Sequence, residues 1–124
     1  MEEVKKQGTK SLFVHYKMAL ELVELGFNEK TFDVHSDIVT SGFKIVKKPT
    51  PRILFQQAFR FFREKYMLSG EIYIFKNIWN FDIEDISNSI QLYTSDIMCY
   101  NSYEEAELEC LVKLIEIAKE QNVK

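Results

Sequence analysis

The five residues DVHSD, Asp33 to Asp37, hold the densest mixture of metal-ligating side chains in this 124-residue chain. On a strand, Asp33, His35 and Asp37 would project from one side, and imidazole with carboxylates is a mixture that a divalent cation accepts. One short strand cannot wrap three ligands around an ion, and no second histidine cluster completes the shell. The expectation is therefore a structural or surface role, with no metal site. His15 falls among apolar residues of a helical pattern and reads as a side chain at the core edge. Cys110 falls on an apolar helical stripe and should be inert. Cys99 would need a histidine beside it to become a nucleophile, and nothing in the spacing supplies one.

Carboxylates offer a second chemistry. Asp82 and Glu84 share the polar side of an alternating stretch, with Glu104 near its end, and paired carboxylates can serve glycoside or phosphate chemistry. A solvated strand face carries the same residues. No P-loop, dinucleotide fingerprint, nucleophile elbow or zinc-binding spacing occurs. The expectation is a protein that is not an enzyme and takes no cofactor. Arg52, Arg60 and Arg63 form the best candidate interaction face: arginines hold phosphates, and neighbouring aromatics could stack on bases. Gln56 and Glu64 dilute that stripe, the aromatics are wanted by the core, and the chain carries a net charge of -3. Nucleic acid is the less favoured partner.

The charge is unevenly spread. Residues 1–65 hold twelve Lys and Arg against eight acids, whereas residues 66–124 hold four against eleven. No basic residue stands between Asn77 and Val112, where eight carboxylates occur. One reading is uneven solubilisation. Another is an acidic surface that imitates DNA and blocks a host protein, using the carboxylates from Asp82 to Glu109.

These residues must be positioned by local structure. LFVHYKMALELVEL, after Ser11, predicts a helix over Leu12–Leu25 that Gly26 closes, with Leu12, Tyr16, Ala19 and Val23 on one face. Thr31–His35 and Gly42–Lys47 predict a short hairpin across SDIVTS. In PTPRILFQQAFRFFREKY, Thr50 reads as an N-cap and Pro51 as the first helical residue. The helix over Pro51–Tyr66 then turns Leu54, Ala58, Phe61 and Phe62 inward. From Gly70 the apolar period changes to two: EIYIFK and WNFDIEDI predict an antiparallel pair joined at KNI. SIQLY and DIMCY supply one further strand or two short pieces. Ser102 and Glu105 have capping-box spacing at the start of a helix over Tyr103–Glu120. Its glutamates are explained by capping, by the positive helix end and by solvation, and Glu109 stands four residues before Lys113 for an ion pair.

The fold expected is α+β. Three helices pack on a small antiparallel sheet in the order α-(β-β)-α-β-β-(β)-α, in one domain over residues 11–124 behind an N-terminal tail of residues 1–10. Two cysteines make no disulfide framework, and no apolar run is long enough for a signal peptide or a membrane span. The cytoplasm is the expected location.

Three segments, ALELVELGFNEKTF (Ala19–Phe32), PTPRILFQQAFRFFREKY (Pro49–Tyr66) and SYEEAELECLVKLIEIAK (Ser102–Lys119), give the chain its family likeness. It resembles small uncharacterised proteins of Bacteroidetes genomes and their phages and prophages. Those proteins often carry Trp where Phe61 or Phe62 stands here. The resemblance implies origin and fold, and no site residue is carried over from it. The function expected is a non-enzymatic accessory module that binds a host or phage protein. A second copy of the chain is another candidate partner, because Leu12–Leu25 is apolar around much of its circumference and Glu71–Lys76 is apolar on both sides.

Overall fold

The computed structural model describes residues 12–31, 34–41, 44–95 and 100–123, with 34–41 and 44–51 described by their backbone. The elements are α1 (Tyr16–Glu24), β1 (Val34–Ser41), β2 (Lys44–Pro51), α2 (Phe55–Phe61), β3 (Leu68–Phe75), β4 (Ile78–Asp85), β5 (Ile90–Thr94) and α3 (Tyr103–Val123). The class is α+β, and the order is the expected one. β1 and β2 form a separate antiparallel hairpin, while β3, β4 and β5 form a meander in which β4 is central and β3 and β5 are the edges. Among the described residues no helix is long and apolar enough to cross a membrane. The proposed tail, residues 1–10, lies outside the described residues.

The start of the chain departs from the sequence reading. Leu12–Val14 is extended, not helical: Phe13 forms a bridge with Leu54, and the Val14 N–H donates to the Ile53 carbonyl at 2.8 Å. Helix α1 therefore begins at Tyr16, with His15 as its N-cap, and the His15 Nδ1 accepts from the Lys17 N–H at 3.2 Å. The later start turns Ala19 and Leu22 into the core, while Leu12 and Val23 are exposed. Gly26 closes the helix as expected. Its φ is +115°, and the Phe27 N–H reaches the Leu22 carbonyl at 2.9 Å while the Gly26 N–H reaches Val23 at 3.0 Å. This is the paired-bond closure that a left-handed residue permits.

The same pairing overrides the predicted start of α2. Thr50 and Pro51 are not a cap and first turn; they end β2, opposite His35 and Val34. Segments 12–14 and 52–54 hold each other extended, so the helix starts only at Phe55. Leu54 has no acceptor in its side chain, and the Gln57 Oε1 instead accepts the Leu54 N–H at 3.0 Å. The hairpin strands are also longer than predicted, because Ser36–Ser41 of SDIVTS is strand and Thr31 lies before it.

At its end α2 widens into a π turn over Phe62–Tyr66, closed by the Met67 N–H on the Phe62 carbonyl. A wider turn accommodates an extra residue. Here both Phe61 and Phe62 are buried, their rings 5.2 Å apart edge to face. Met67 (φ 57°) then reverses the chain into β3. β3 and β4 are joined by Lys76 and Asn77, both at positive φ (55° and 64°), as a two-residue hairpin turn of the twist-matching kind requires.

In the meander, Leu68, Gly70, Ile72, Phe81 and Ile83 share the face under the helices, by the registers Gly70↔Ile83 and Ile72↔Phe81. Helix α3 lies over this face with Ala106, Cys110, Leu111, Leu114, Ile115 and Ala118 buried. Its start keeps half of the predicted capping box: the Glu105 N–H donates to the Ser102 Oγ at 3.1 Å, whereas the Glu105 carboxylate accepts the N–H of Asn101, one residue before the cap, at 3.0 Å. The Glu109–Lys113 pair does not form. Lys113 instead meets Glu116 at 3.3 Å and lies over the Tyr93 ring, 4.7 Å from its centre. The three helices are tied at one end by Tyr66, whose hydroxyl donates to the Leu25 carbonyl at 2.8 Å and accepts from Asn122 at 3.0 Å.

Candidate functional site

Edge strand β3 has one free side. Its partner β4 occupies the other, and among the described residues no strand pairs with its outer edge. A groove of about 780 Å³ lies along this edge, between α2 and β3, and is closed at one end by the first turns of α3. Gly70, Glu71 and Ile72 all line it. Successive side chains of a strand point to opposite faces, so a cavity that touches three in a row meets the backbone edge itself.

Gly70 sets the depth of the groove. A methyl group placed on it would lie 2.6 Å from the Cys110 Sγ and 3.0 Å from the Phe59 Cε2. The absent side chain lets α2 and α3 close over the strand at this level. The opposite wall is the outer face of α2, where Gln56, Arg60 and Arg63 stand at helical spacing. Gln57 fixes the loop beyond them: its Nε2 donates to the Lys30 carbonyl at 2.9 Å. Lys30 and Thr31 are thereby held at the groove's rim.

The charges of the groove are not equivalent. Arg60 is in an ion pair with Glu29, which raises its pKa by hydrogen bonding and by charge. Arg63 and Lys30 have no such partner among the described residues. Glu71 alternates with Gly70 and Ile72, so its side chain belongs to the sheet's other face. Glu107, at the α3 end, is half-buried. Burial and then the neighbouring Glu104 raise its carboxyl above the ordinary range, partly offset by a hydrogen bond from the Tyr103 phenol. The helix wall thus carries the groove's cations, and Glu107 lines its α3 end.

The three arginines read as one face are divided by the fold. Arg60 and Arg63 line the groove. Arg52 does not: it lies between β2 and α2, with its guanidinium carbon 4.5 Å from the centre of the Phe13 ring. Asp33 and Cys99 lie outside the described residues. His35 and Asp37 occupy alternate positions of β1, opposite Thr50 and Lys48. His15, expected at the core edge, is an exposed helix cap. Cys110 is fully buried, and burial, followed by Glu107 and Asp82, pushes its thiol well above the ordinary value. Asp82 accepts a hydrogen bond from the Tyr73 hydroxyl at 3.3 Å on the sheet face away from the helices. Glu104 belongs to the helical layer, so the sheet separates it from Asp82 and Glu84.

Sequence reasoning missed Lys30, Gly70, Tyr103 and Glu107. Tyr103 and Glu107 were legible as i, i+4 neighbours on a helix. Lys30 and Gly70 carried no local signal, because a loop held by a glutamine 27 residues away and a strand edge are tertiary features. No protein-family model matches the chain, and no curated protein or solved structure matches it.

Proposed function

We propose that this chain is a non-enzymatic accessory module of mobile-element origin that acts in the cytoplasm by binding a host or phage protein at the β3 groove. One observation carries the reading: the groove runs along a strand edge that no other strand pairs among the described residues, and the outward N–H and C=O groups of such an edge are a template for another chain. The walls set Lys30, Gln56, Gln57, Arg60 and Arg63 beside Leu54, Phe59 and Ile72, a mixture that suits the alternating side chains of a peptide.

A nucleic-acid face would need several free cations together. Arg52 is engaged with Phe13 and Arg60 with Glu29, which leaves Arg63 and Lys30 as the groove's other cations. The acidic-mimic reading also loses carboxylates to local work, since Glu105 caps α3 and Glu107 is half-buried.

The test is capture from the native organism's lysate with wild-type protein and with Gln56→Trp, which fills the groove from an exposed helical position. The reading predicts a specific protein retained by the wild type and lost with the variant, whose fold is checked by circular dichroism. Tight binding of duplex DNA at physiological salt, with no groove-dependent protein captured, would replace this reading with the arginine face.

A further inference from the structure

We infer that the groove's occupant is an extended peptide segment added as a fourth strand on β3, with an acidic side chain of that segment received by Arg63 and Lys30. This rests on the protein-binding reading above and names the chemistry of the partner.

Three observations lead to it. First, among the described residues no strand pairs with the outer side of β3 at Gly70 and Ile72, where the groove runs. Beyond the groove the strand continues through Ile74 and Phe75, which are 53% and 61% exposed. An added strand covers alternate apolar residues of its neighbour as well as satisfying the edge hydrogen bonds. Ile74 lies on the helix side and Phe75 on the other, so a guest strand with apolar residues on both sides covers both. Second, the α2 wall is built before any guest arrives. Gln57 bridges the Leu54 amide and the Lys30 carbonyl, so the rim is held at a set distance from the helix.

Third, the charge pattern selects the sign of the guest. With Arg60 occupied by Glu29 and the Glu71 side chain on the sheet's far face, the groove cations without an ion-pair partner among the described residues are Arg63 and Lys30. A guest carboxylate there forms a charge-assisted pair, which Arg holds in a defined geometry. A basic guest side chain at the same place would face two like charges. Backbone pairing thus supplies the sequence-independent attraction, and the Arg63–Lys30 rim supplies selection.

The experiment uses a displayed library of random ten-residue peptides selected against the full chain, followed by synthesis of the enriched sequence. The inference predicts enrichment of extended sequences with apolar residues on both strand faces beside an Asp or Glu. On adding that peptide, backbone amide NMR signals of Gly70–Phe75 should shift. Arg63→Glu should weaken binding about tenfold or more, and a peptide with Lys in place of its acid should recover affinity for that variant. Enriched peptides with helical apolar spacing, peptides without an acid, or shifts confined to β5 would overturn the added-strand inference and leave a protein-binding module standing. An edge signal that changes with protein concentration alone, with a dimer in sedimentation, would assign the edge to a second copy and overturn it as well. Recovery of no peptide would overturn it, and the lysate comparison with Gln56→Trp then decides whether the broader reading also falls.

Discussion

Adding one methyl group at Gly70 tests the geometry on which the groove depends. In Gly70→Ala the new carbon meets the Cys110 Sγ at 2.6 Å, the Phe59 Cε2 at 3.0 Å and the Leu114 Cδ1 at 3.3 Å. All three neighbours are buried core side chains, so none can swing into solvent. Overpacking of this kind costs about 1–3 kcal/mol. Replacing glycine also restricts the unfolded chain, which returns about 0.4–1 kcal/mol. The net expectation is a loss of about 1–2 kcal/mol. Cys110→Ala removes the closest atom and by itself costs about 0.5–1.5 kcal/mol, the range for one buried methyl-sized deletion. Because the two changes meet at one contact, the double variant should lose less than the sum, by about 0.5 kcal/mol or more. Equilibrium urea unfolding of the four proteins gives the cycle directly, provided the slopes agree. A neutral Gly70→Ala, or strict additivity, would show that β3 and α3 are not in contact there, and the floor of the groove would be wrong.

The remaining predictions use the same reasoning. Leu114→Ala should cost about 2–5 kcal/mol in denaturant unfolding, since the side chain is fully buried over β3; a negligible loss would refute the assigned face of α3. Ser102→Ala removes the hydroxyl that accepts the Glu105 N–H and should cost about 1 kcal/mol, read as a lower midpoint with an unchanged slope. Glu107 has its pKa raised in the folded state, so the native protein binds more protons than the unfolded one and stability falls as pH rises through the carboxylate range. Glu107→Gln should therefore gain on the wild type as pH rises, and parallel pH profiles would refute the burial argument. Asp85 has the opposite sign: the Ser87 hydroxyl, with the Ser87 and Asn88 N–H groups, lowers its pKa. Asp85→Asn should lower stability at neutral pH, with the gap closing as pH falls through the ordinary aspartate value toward the lowered one.

Local patterns account for what the sequence determined. The change from a period of 3.6 to a period of two after Tyr66, and back after Ser102, reflects how helices and strands present side chains, and it places α2, β3, β4 and α3 in order. Gly26 and the Ser102–Glu105 spacing act within a few residues of themselves, so the closure of α1 and the cap of α3 were legible. Thr50 and Pro51 obeyed the same local rules and misled, because they pair with His35 and Val34 of β1, and residues 12–14, about forty positions away, hold residues 52–54 extended. Such pairing leaves no mark on either segment alone. His15 became a cap for the same reason. The groove is wholly a product of tertiary structure: Arg60 and Arg63 were visible, but the ion pair that occupies Arg60, the loop that holds Lys30 at the rim, and the open side of β3 arise only when α2 and α3 close over Gly70. A strand's sequence shows which side chains alternate, and only the assembled sheet decides whether its backbone is central or left open to a partner.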